Sequence, residues 1–185
     1  MTVKQKKRGR PSKLTREAIV LGAKEWMLEQ NKKLSIRALA SHLEVDPMAI
    51  YHYFDNKAAL LEAITISIMQ GIYTPGNSSS WQMELTKLCH SYLSLLRDHP
   101  GLLETLLSMG GEMAGPAEVF RERFDLAIAP LSLEESRKNA ALDLLVDYMH
   151  GFALALHCAK DKSKLEVSAI ERPLALYLSI LEVET

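Results

Sequence analysis

The chain has 185 residues, enough for one or two domains with a substantial apolar core. Its net charge is -1, hydrophobic residues make up 48% of it, and no long apolar run predicts a membrane-spanning helix. The basic N-terminus is not followed by an apolar segment, so we do not expect a secretory signal. Two cysteines, Cys89 and Cys158, do not form a disulfide framework, and we expect a reducing, cytoplasmic setting.

Charge is distributed unevenly along the chain. Residues 1–57 include 12 Lys or Arg and 6 Asp or Glu, a net charge of +6. Residues 58–185 include 10 basic and 17 acidic residues, a net charge of -7. This asymmetry favours a polyanion-binding head on a body with another task, although chance segregation of surface charge gives the same counts.

The spacing of apolar residues predicts an all-α chain, because no alternating strand pattern bounded by turn residues occurs. Capping residues divide the first part into four helices, which begin after Thr15, Ser35, Asp46 and Asn56. We predict that the first helix ends near residue 31 and the third near residue 53. The second and third helices are short, and the fourth is long.

The segment TPGNSSS, residues 74–80, is a helix breaker. Beyond it we predict helical segments at 80–97, 102–109, 116–128, 132–160 and 165–182. Ser132 and Glu135 form a predicted capping box at the start of the long fourth segment. Pro173 either kinks the last helix or marks the point where its regular part begins.

The short helices at 35–43 and 46–53, joined by a tight turn, are typical of a helix-turn-helix motif. In such motifs the N-terminal residues of the second helix reach base edges in the major groove. The helical period directs Phe54 into the core and leaves Tyr51, His52 and Tyr53 at the surface. These exposed rings carry hydrogen-bond donors that suit phosphates and bases.

The stretch LSIRALASHLEVDPMAIYHYFDNKAALLEAI, residues 34–64, resembles the DNA-binding domain of the tetracycline-repressor (TetR) family. The matching features are RALA, VDPMAIYHYF and NKAALL. The resemblance implies a repressor that binds a palindromic operator as a homodimer and is released by a small molecule in the body. Outside the DNA-binding domain the chain resembles the family only in the arrangement of its helices. In the family this part is a variable helical body whose last two long helices form the dimer interface.

The resemblance also implies roles for individual residues of the head. Glu44 departs from the pattern, because the family usually has a turn glycine there. Pro47, Met48 and Ala49 offer few hydrogen-bonding groups, so base reading then depends on Arg37, on His52 and on contacts to thymine methyls. The basic arm is either a solvated tail or a minor-groove and phosphate contact. The predicted DNA contacts are Lys7, Arg8, Arg10, Ser35, Ile36, Arg37, Pro47, Met48, Ala49, Tyr51, His52, Tyr53 and Lys57.

We therefore divide the chain into a DNA-binding head at 1–57, a connecting part of the fourth helix at 58–73, and an effector-binding and dimerisation body at 74–185. The last two long helices carry apolar residues on more than one face, which favours a four-helix dimer interface. The predicted interface residues are Leu144, Leu145, Met149, Gly151, Leu156, Leu174, Tyr177, Leu178 and Leu181.

Aromatic, sulfur-containing and polar residues of the body are candidates for an effector pocket beside the glycine-rich loop SMGGEMAGP. We expect a mostly apolar ligand with one polar end, anchored by His90, Glu112, Tyr148 or His157. The candidate ligand-binding residues are Trp81, Cys89, His90, Tyr92, Met109, Glu112, Met113, Phe120, Phe124, Tyr148, Phe152 and His157. Adjacent Cys and His residues point about 100° apart on a helix, so we expect no metal site and no cofactor.

No nucleophile elbow, phosphate loop, dinucleotide fingerprint or zinc-protease motif occurs, so we do not expect an enzyme. Two alternatives to a ligand-responsive repressor stay open. One is a DNA-binding regulator or architectural protein whose body serves only dimerisation or protein contact. The other is a helical small-molecule carrier or enzyme whose basic end is incidental.

Overall fold

The computed structural model describes residues 14–30, 34–76, 80–99, 101–108, 114–159 and 166–182. These residues are mostly helical and include no strand, which confirms the all-α class. The α-helices are α1 (Arg16–Gln30), α2 (Ile36–His42), α3 (Pro47–Tyr51), α4 (Lys57–Met69), α5 (Trp81–Asp98), α6 (Leu102–Ser108), α7 (Ala114–Ile128), α8 (Glu135–Cys158) and α9 (Glu171–Glu182). None of the helices in these ranges is long and apolar enough to span a membrane.

The chain divides into an N-terminal unit, Met1–Ile64, and a C-terminal unit, Thr65–Thr185. The division falls within α4, so this helix contributes residues to both units. The N-terminal unit contains α1 to α3 and the beginning of α4. The C-terminal unit contains the end of α4 and all later helices.

Side-chain caps start the helices of the N-terminal unit, as the sequence predicts. Thr15 accepts from the Ala18 amide at 3.1 Å and Ser35 from the Ala38 amide at 3.1 Å. Asp46 and Asn56 cap α3 and α4 in the same way. Each cap satisfies a backbone donor that has no partner within its own helix, which fixes the start of the helix locally.

The turn between α2 and α3 depends on a strained residue. Glu44 lies in the left-handed region with φ 55°, the conformation that a glycine adopts without strain. The next amide, of Val45, donates to the Ala40 carbonyl at 2.9 Å and closes the turn. The departure from the family glycine therefore leaves the turn intact and adds strain of about 1 kcal/mol.

The core of the C-terminal unit is built around α5, which packs against α7 and α8. Leu88, Leu93, Phe124 and Met149 are fully buried there. The Tyr177 hydroxyl of α9 donates to the Ala141 carbonyl of α8 at 2.7 Å. This buried bond ties the last two helices together within the unit.

The start of α8 differs from the prediction. A 3-10 turn at Ala129–Leu131 ends on Ser132, which has φ 50°, and Glu134 is the N-terminal cap residue without a side-chain cap bond. The predicted capping box of Ser132 and Glu135 is therefore wrong, because the 3-10 turn uses Ser132 before the helix begins. Pro173 lies in the first turn of α9, where its missing amide costs no helical hydrogen bond.

Candidate nucleic-acid interface and effector pocket

Helix α3 is held by one buried residue and exposes the rest of its side chains to varying degrees. Ile50 is fully buried and anchors the helix, while Asp46 caps it by accepting from the Met48 amide at 2.8 Å. Met48 is 63% exposed and Tyr51 41% exposed. An apolar side chain with this exposure at the first turn of α3 is positioned to contact another molecule.

The aromatic run 51–54 divides as the sequence predicts. Phe54 is buried, whereas Tyr51, His52 and Tyr53 are exposed. The Tyr53 hydroxyl donates to the Leu14 carbonyl at 2.5 Å, so this donor is occupied within the chain. Tyr51 and His52 are therefore the rings of this run that remain available to a ligand.

Arg16 was not among the sequence-predicted contacts, yet it lies beside the end of α3. Its guanidinium is 4.8 Å from the centre of the Phe54 ring. Together with the bond from Tyr53 to Leu14, this contact attaches the start of α1 to the residues that follow α3. The cation-aromatic geometry needs the tertiary fold, so only the basic character of Arg16 was visible in the sequence.

The other predicted DNA contacts are unevenly exposed. Arg37 and Lys57 are exposed, Pro47 and Ala49 are half-buried, and Ile36 is buried. Ser35 is exposed, and its hydroxyl accepts from the Ala38 amide as the cap of α2. Lys7, Arg8 and Arg10 lie outside the described residues.

The C-terminal unit contains a cavity of about 390 Å³, within the usual range for small-molecule sites. Its apolar wall is formed by side chains from α4, α6, α7 and α8, namely Met69, Leu106, Pro116, Phe120, Leu142 and Val146. Its polar wall is formed by Tyr92, Arg121, Asp143, Asp147 and His150. The cavity is thus mostly apolar with a few polar groups, as ligand sites usually are.

An aromatic cluster forms one side of this cavity. The rings of Tyr92 and Phe120 lie 4.9 Å apart, and those of Tyr92 and His150 lie 6.0 Å apart. The Tyr92 hydroxyl oxygen is 2.7 Å from Nε2 of His150, which accepts this bond when the ring proton is on Nδ1. Helices α5, α7 and α8 each contribute one ring.

Burial keeps the tyrosine and histidine of this cluster neutral. Desolvation lowers the pKa of His150 below its ordinary value, and the nearby Asp147 opposes this shift. Desolvation also raises the pKa of Tyr92 above its ordinary value. The other ionisable side chains of the cavity wall are Arg121, Asp143 and Asp147.

The structure separates the sequence-predicted ligand residues. Tyr92 and Phe120 line the cavity, whereas Cys89 and Phe124 are fully buried in the core. Burial raises the pKa of the Cys89 thiol to about 12, which leaves it protonated and inert. The remaining predicted residues that are described lie outside the cavity lining, namely Trp81, His90, Tyr148, Phe152 and His157.

Three of these outlying side chains have other contacts. Tyr148 and Phe152 stack on each other with ring centres 6.2 Å apart, and Tyr148 is exposed. The His157 Nδ1 lies 2.9 Å from the Ala153 carbonyl one turn earlier. Met109, Glu112 and Met113 lie outside the described residues. The spacing of Asp143, Asp147 and His150 on α8 was the sequence signal that could have indicated the polar wall.

The predicted interface residues fall into three groups. Leu145, Met149, Leu174, Tyr177 and Leu181 are buried within the unit, while Leu156 and Leu178 are half-buried. Leu144 is 58% exposed, and Gly151 is exposed. The large apolar side chains that α8 and α9 expose are Leu144, Tyr148, Leu154, Leu176 and Ile180. These last five are hereafter called the outer apolar residues.

No group of three or more His, Cys, Asp or Glu side chains within the described ranges could hold a metal ion. The buried acid Glu84 has a structural role. Glu84 accepts from the Tyr73 hydroxyl at 2.9 Å and from the Gly76 amide at 2.7 Å, which attaches the loop after α4 to α5. The role of Glu84 was not predictable from the sequence, because an acid in the first turn of a helix is usually a surface residue.

The fold and the exposed α3 define the class of protein: a helix-turn-helix DNA-binding protein with a helical body. The family model of bacterial regulatory proteins, tetR family, matches residues 23–64, which include α2, α3 and much of α4. An uncharacterized HTH-type transcriptional regulator of Mycobacterium tuberculosis is 27% identical over 155 residues, or 78% of this chain and 71% of the relative. The N-terminal part of the chain accordingly matches the DNA-binding domain of the tetR family, and the chain is similar to HTH-type transcriptional regulators.

Solved structures share the fold along most of the chain. BioQ, solved with its double-stranded DNA operator, matches with a TM-score of 0.75 and 22% identity, over 93% of this chain and all of that one. ActR of Streptomyces coelicolor, solved with actinorhodin, matches with a TM-score of 0.71 and 17% identity, over 94% of this chain and 88% of that one. At these identities the likeness shows the fold alone.

Proposed function

We propose that this regulator is a repressor that binds a palindromic operator as a homodimer and is released by a mostly apolar small molecule. The observation that carries the proposal is the coexistence of an exposed α3 in one unit and a cavity of about 390 Å³ in the other. The two similar structures contain each kind of partner, operator DNA with BioQ and actinorhodin with ActR.

The DNA-binding role rests on the exposed donors around α3. Tyr51 at the end of α3 and Lys57 at the start of α4 carry hydroxyl and ammonium donors that suit phosphates. Arg37 on α2 and His52 after α3 carry donors that suit base edges. Arg16 adds a positive charge beside Phe54, so a polyanion next to α3 meets cations from more than one element.

The homodimer rests on the outer apolar residues of α8 and α9. A second copy that packs these side chains against its own would bury them in a two-fold four-helix interface. A dimer would carry two copies of α3, and a spacing of about 34–36 Å between them would match half-sites one DNA turn apart. A palindromic operator follows from this symmetry.

The release step is a shift between two conformations of the dimer. A ligand in the cavity weakens operator binding only if it binds better to the conformation that does not fit the operator. Operator DNA must then weaken ligand binding by the same factor. The cavity includes Met69, the last residue of α4, so a ligand there touches the helix that continues into the N-terminal unit.

The test begins with selection of an operator from a randomised DNA library by the full chain. Tyr51→Ala and Lys57→Ala are expected to weaken operator binding, and loss of Lys57 lowers the salt slope by about one unit. Arg97→Ala is the matched control, because Arg97 is an exposed cation of α5 that pairs with the adjacent Asp98. Unchanged affinity in both head variants would contradict the assignment.

One alternative has a distinct outcome in the same experiment. A regulator whose body only dimerises would select an operator, but no small molecule would release it from that operator. Sedimentation of the free chain separates the dimer from the rest of the proposal, since a monomer at micromolar concentration contradicts the two-fold interface. The relatives are transcriptional regulators, so we propose no reaction for the cavity.

A further inference from the structure

The charged side chains that line the cavity of the C-terminal unit do not balance, and this imbalance indicates which kind of ligand the cavity suits. Asp143 and Asp147 lie one turn apart on α8, and both line the cavity. Both residues are exposed, and no hydrogen bond or ion pair joins either carboxylate to another side chain in the part of the chain that the structure describes. Both therefore remain available to a ligand.

The basic group of the wall does not cancel this charge. Arg121 on α7 is a single cation, and its Nη1 donates to Oδ1 of Asn139 at 2.5 Å. Two carboxylates and one guanidinium leave the wall with a net charge of -1 while His150 is neutral. An anionic ligand would meet two carboxylates of the same sign, whereas a cation would meet a complementary wall.

The aromatic side of the cavity favours the same ligand. Tyr92, Phe120 and His150 form a ring cluster that lines the space. Aromatic rings attract ammonium groups through the negative charge on their faces, and carboxylates beside them add to the attraction. The rest of the lining is apolar and suits a hydrocarbon body.

We propose that this cavity binds an apolar molecule with a protonated amine or quaternary ammonium group, and that Asp143 and Asp147 hold the cation beside the rings of Tyr92 and Phe120. This inference rests on the proposed role of the cavity as the effector site. It narrows the expected ligand from a molecule with one polar end to one with a positively charged end.

The experiment titrates the full chain calorimetrically with three probes that share one hydrocarbon body: 4-phenylbutyltrimethylammonium, 4-phenylbutanol and 4-phenylbutyrate. The ammonium probe is expected to bind about tenfold more tightly than the alcohol, because a partly exposed ion pair and the ring contact each add a modest gain. The carboxylate probe is expected to bind most weakly.

Two variants locate the effect. Asp143→Asn with Asp147→Asn in one chain removes both charges with little change in shape, so the ammonium probe loses the part of its advantage that comes from the carboxylates, while the alcohol binds as before. Glu122→Gln is the control, because Glu122 is an exposed acid of α7 that does not line the cavity. If this control lost the advantage to the same extent, the preference would arise from overall charge and the proposal would be overturned.

Three further results would also overturn the proposal: equal affinity for all three probes, tightest binding of the carboxylate, or binding of none of them. Operator affinity is measured separately with each probe present. An ammonium probe that binds through the two aspartates without releasing the operator supports the cavity chemistry and contradicts ligand-responsive repression. The two proposals therefore fail independently.

Discussion

Removal of thymine methyl groups from the operator is expected to weaken binding through Met48. This side chain is 63% exposed in the free chain, so it has apolar surface to lose on contact with DNA. Neighbouring Pro47 and Ala49 carry no hydrogen-bonding side-chain groups either. The thymine C5 methyl is the apolar group that the major groove presents at base edges.

The magnitude follows from the area that such a contact buries. One methyl group removed from water contributes about 0.8 kcal/mol. A palindrome bound by two copies of α3 includes the contact twice, which gives about 1.6 kcal/mol, or about 15-fold in the dissociation constant. Replacing thymine by uracil removes only the methyl group and leaves base pairing unchanged.

Fluorescence anisotropy measures the loss with a selected operator in which uracil replaces thymine at one symmetric pair of positions at a time. Met48→Ala is expected to weaken binding to the intact operator and to make it insensitive to the uracil at the contacted pair. Leu21→Ala is the control, since Leu21 is a comparably exposed apolar residue on α1. If replacement by uracil had no effect on binding at any position, this reasoning would be refuted, and base reading would depend on Arg37 and His52.

Three further predictions concern stability. Glu44→Gly relieves the strain of the positive φ and is expected to raise the free energy of unfolding of the N-terminal unit by about 0.5–1 kcal/mol, measured by thermal melts. Glu44→Ala keeps a side chain at this position and should give no such gain. Glu84→Ala removes the acceptor of two short hydrogen bonds and is expected to lower the free energy of unfolding in urea by about 3 kcal/mol. Glu84→Gln is expected to lower it by about 1–2 kcal/mol. Equal small losses for the two variants would show that the loop does not depend on the carboxylate. Burial depresses the pKa of His150 in the folded state, so its stabilising contribution is present above the ordinary value of 6.5 and is lost as the pH falls through the folded value. The melting temperature of His150→Gln should therefore fall less on acidification than that of the unsubstituted chain, and parallel pH profiles would contradict this.

The helix starts in the N-terminal unit were predictable, because each depends on a hydrogen bond between residues two or three positions apart. Thr15, Ser35, Asp46 and Asn56 all cap helices as their positions indicate. Ser132 did not, because the 3-10 turn before it decides the backbone conformation at that position. A local pattern fails where a neighbouring element uses the same residue.

The candidate pocket was less predictable than the candidate DNA-binding surface. Residues of the predicted DNA surface lie close together in the sequence, and a helical period suffices to separate Phe54 from Tyr51. The cavity instead combines Tyr92, Arg121 and His150 from three helices. Many aromatic and sulfur-containing residues of the body fitted a pocket equally well, and no local rule places Phe120 in the lining and Phe124 in the core.

The sequence by itself determined the helical class, the helix-turn-helix pattern and the resemblance to the TetR family, since these depend on periodicity, caps and a contiguous motif. Only the tertiary structure decided which face of α8 is internal. Leu144 and Leu145 are adjacent and equally apolar, yet the first is exposed and the second is buried. Both faces of α8 carry apolar residues, so the direction of burial is set by the helices that pack against it rather than by its own period.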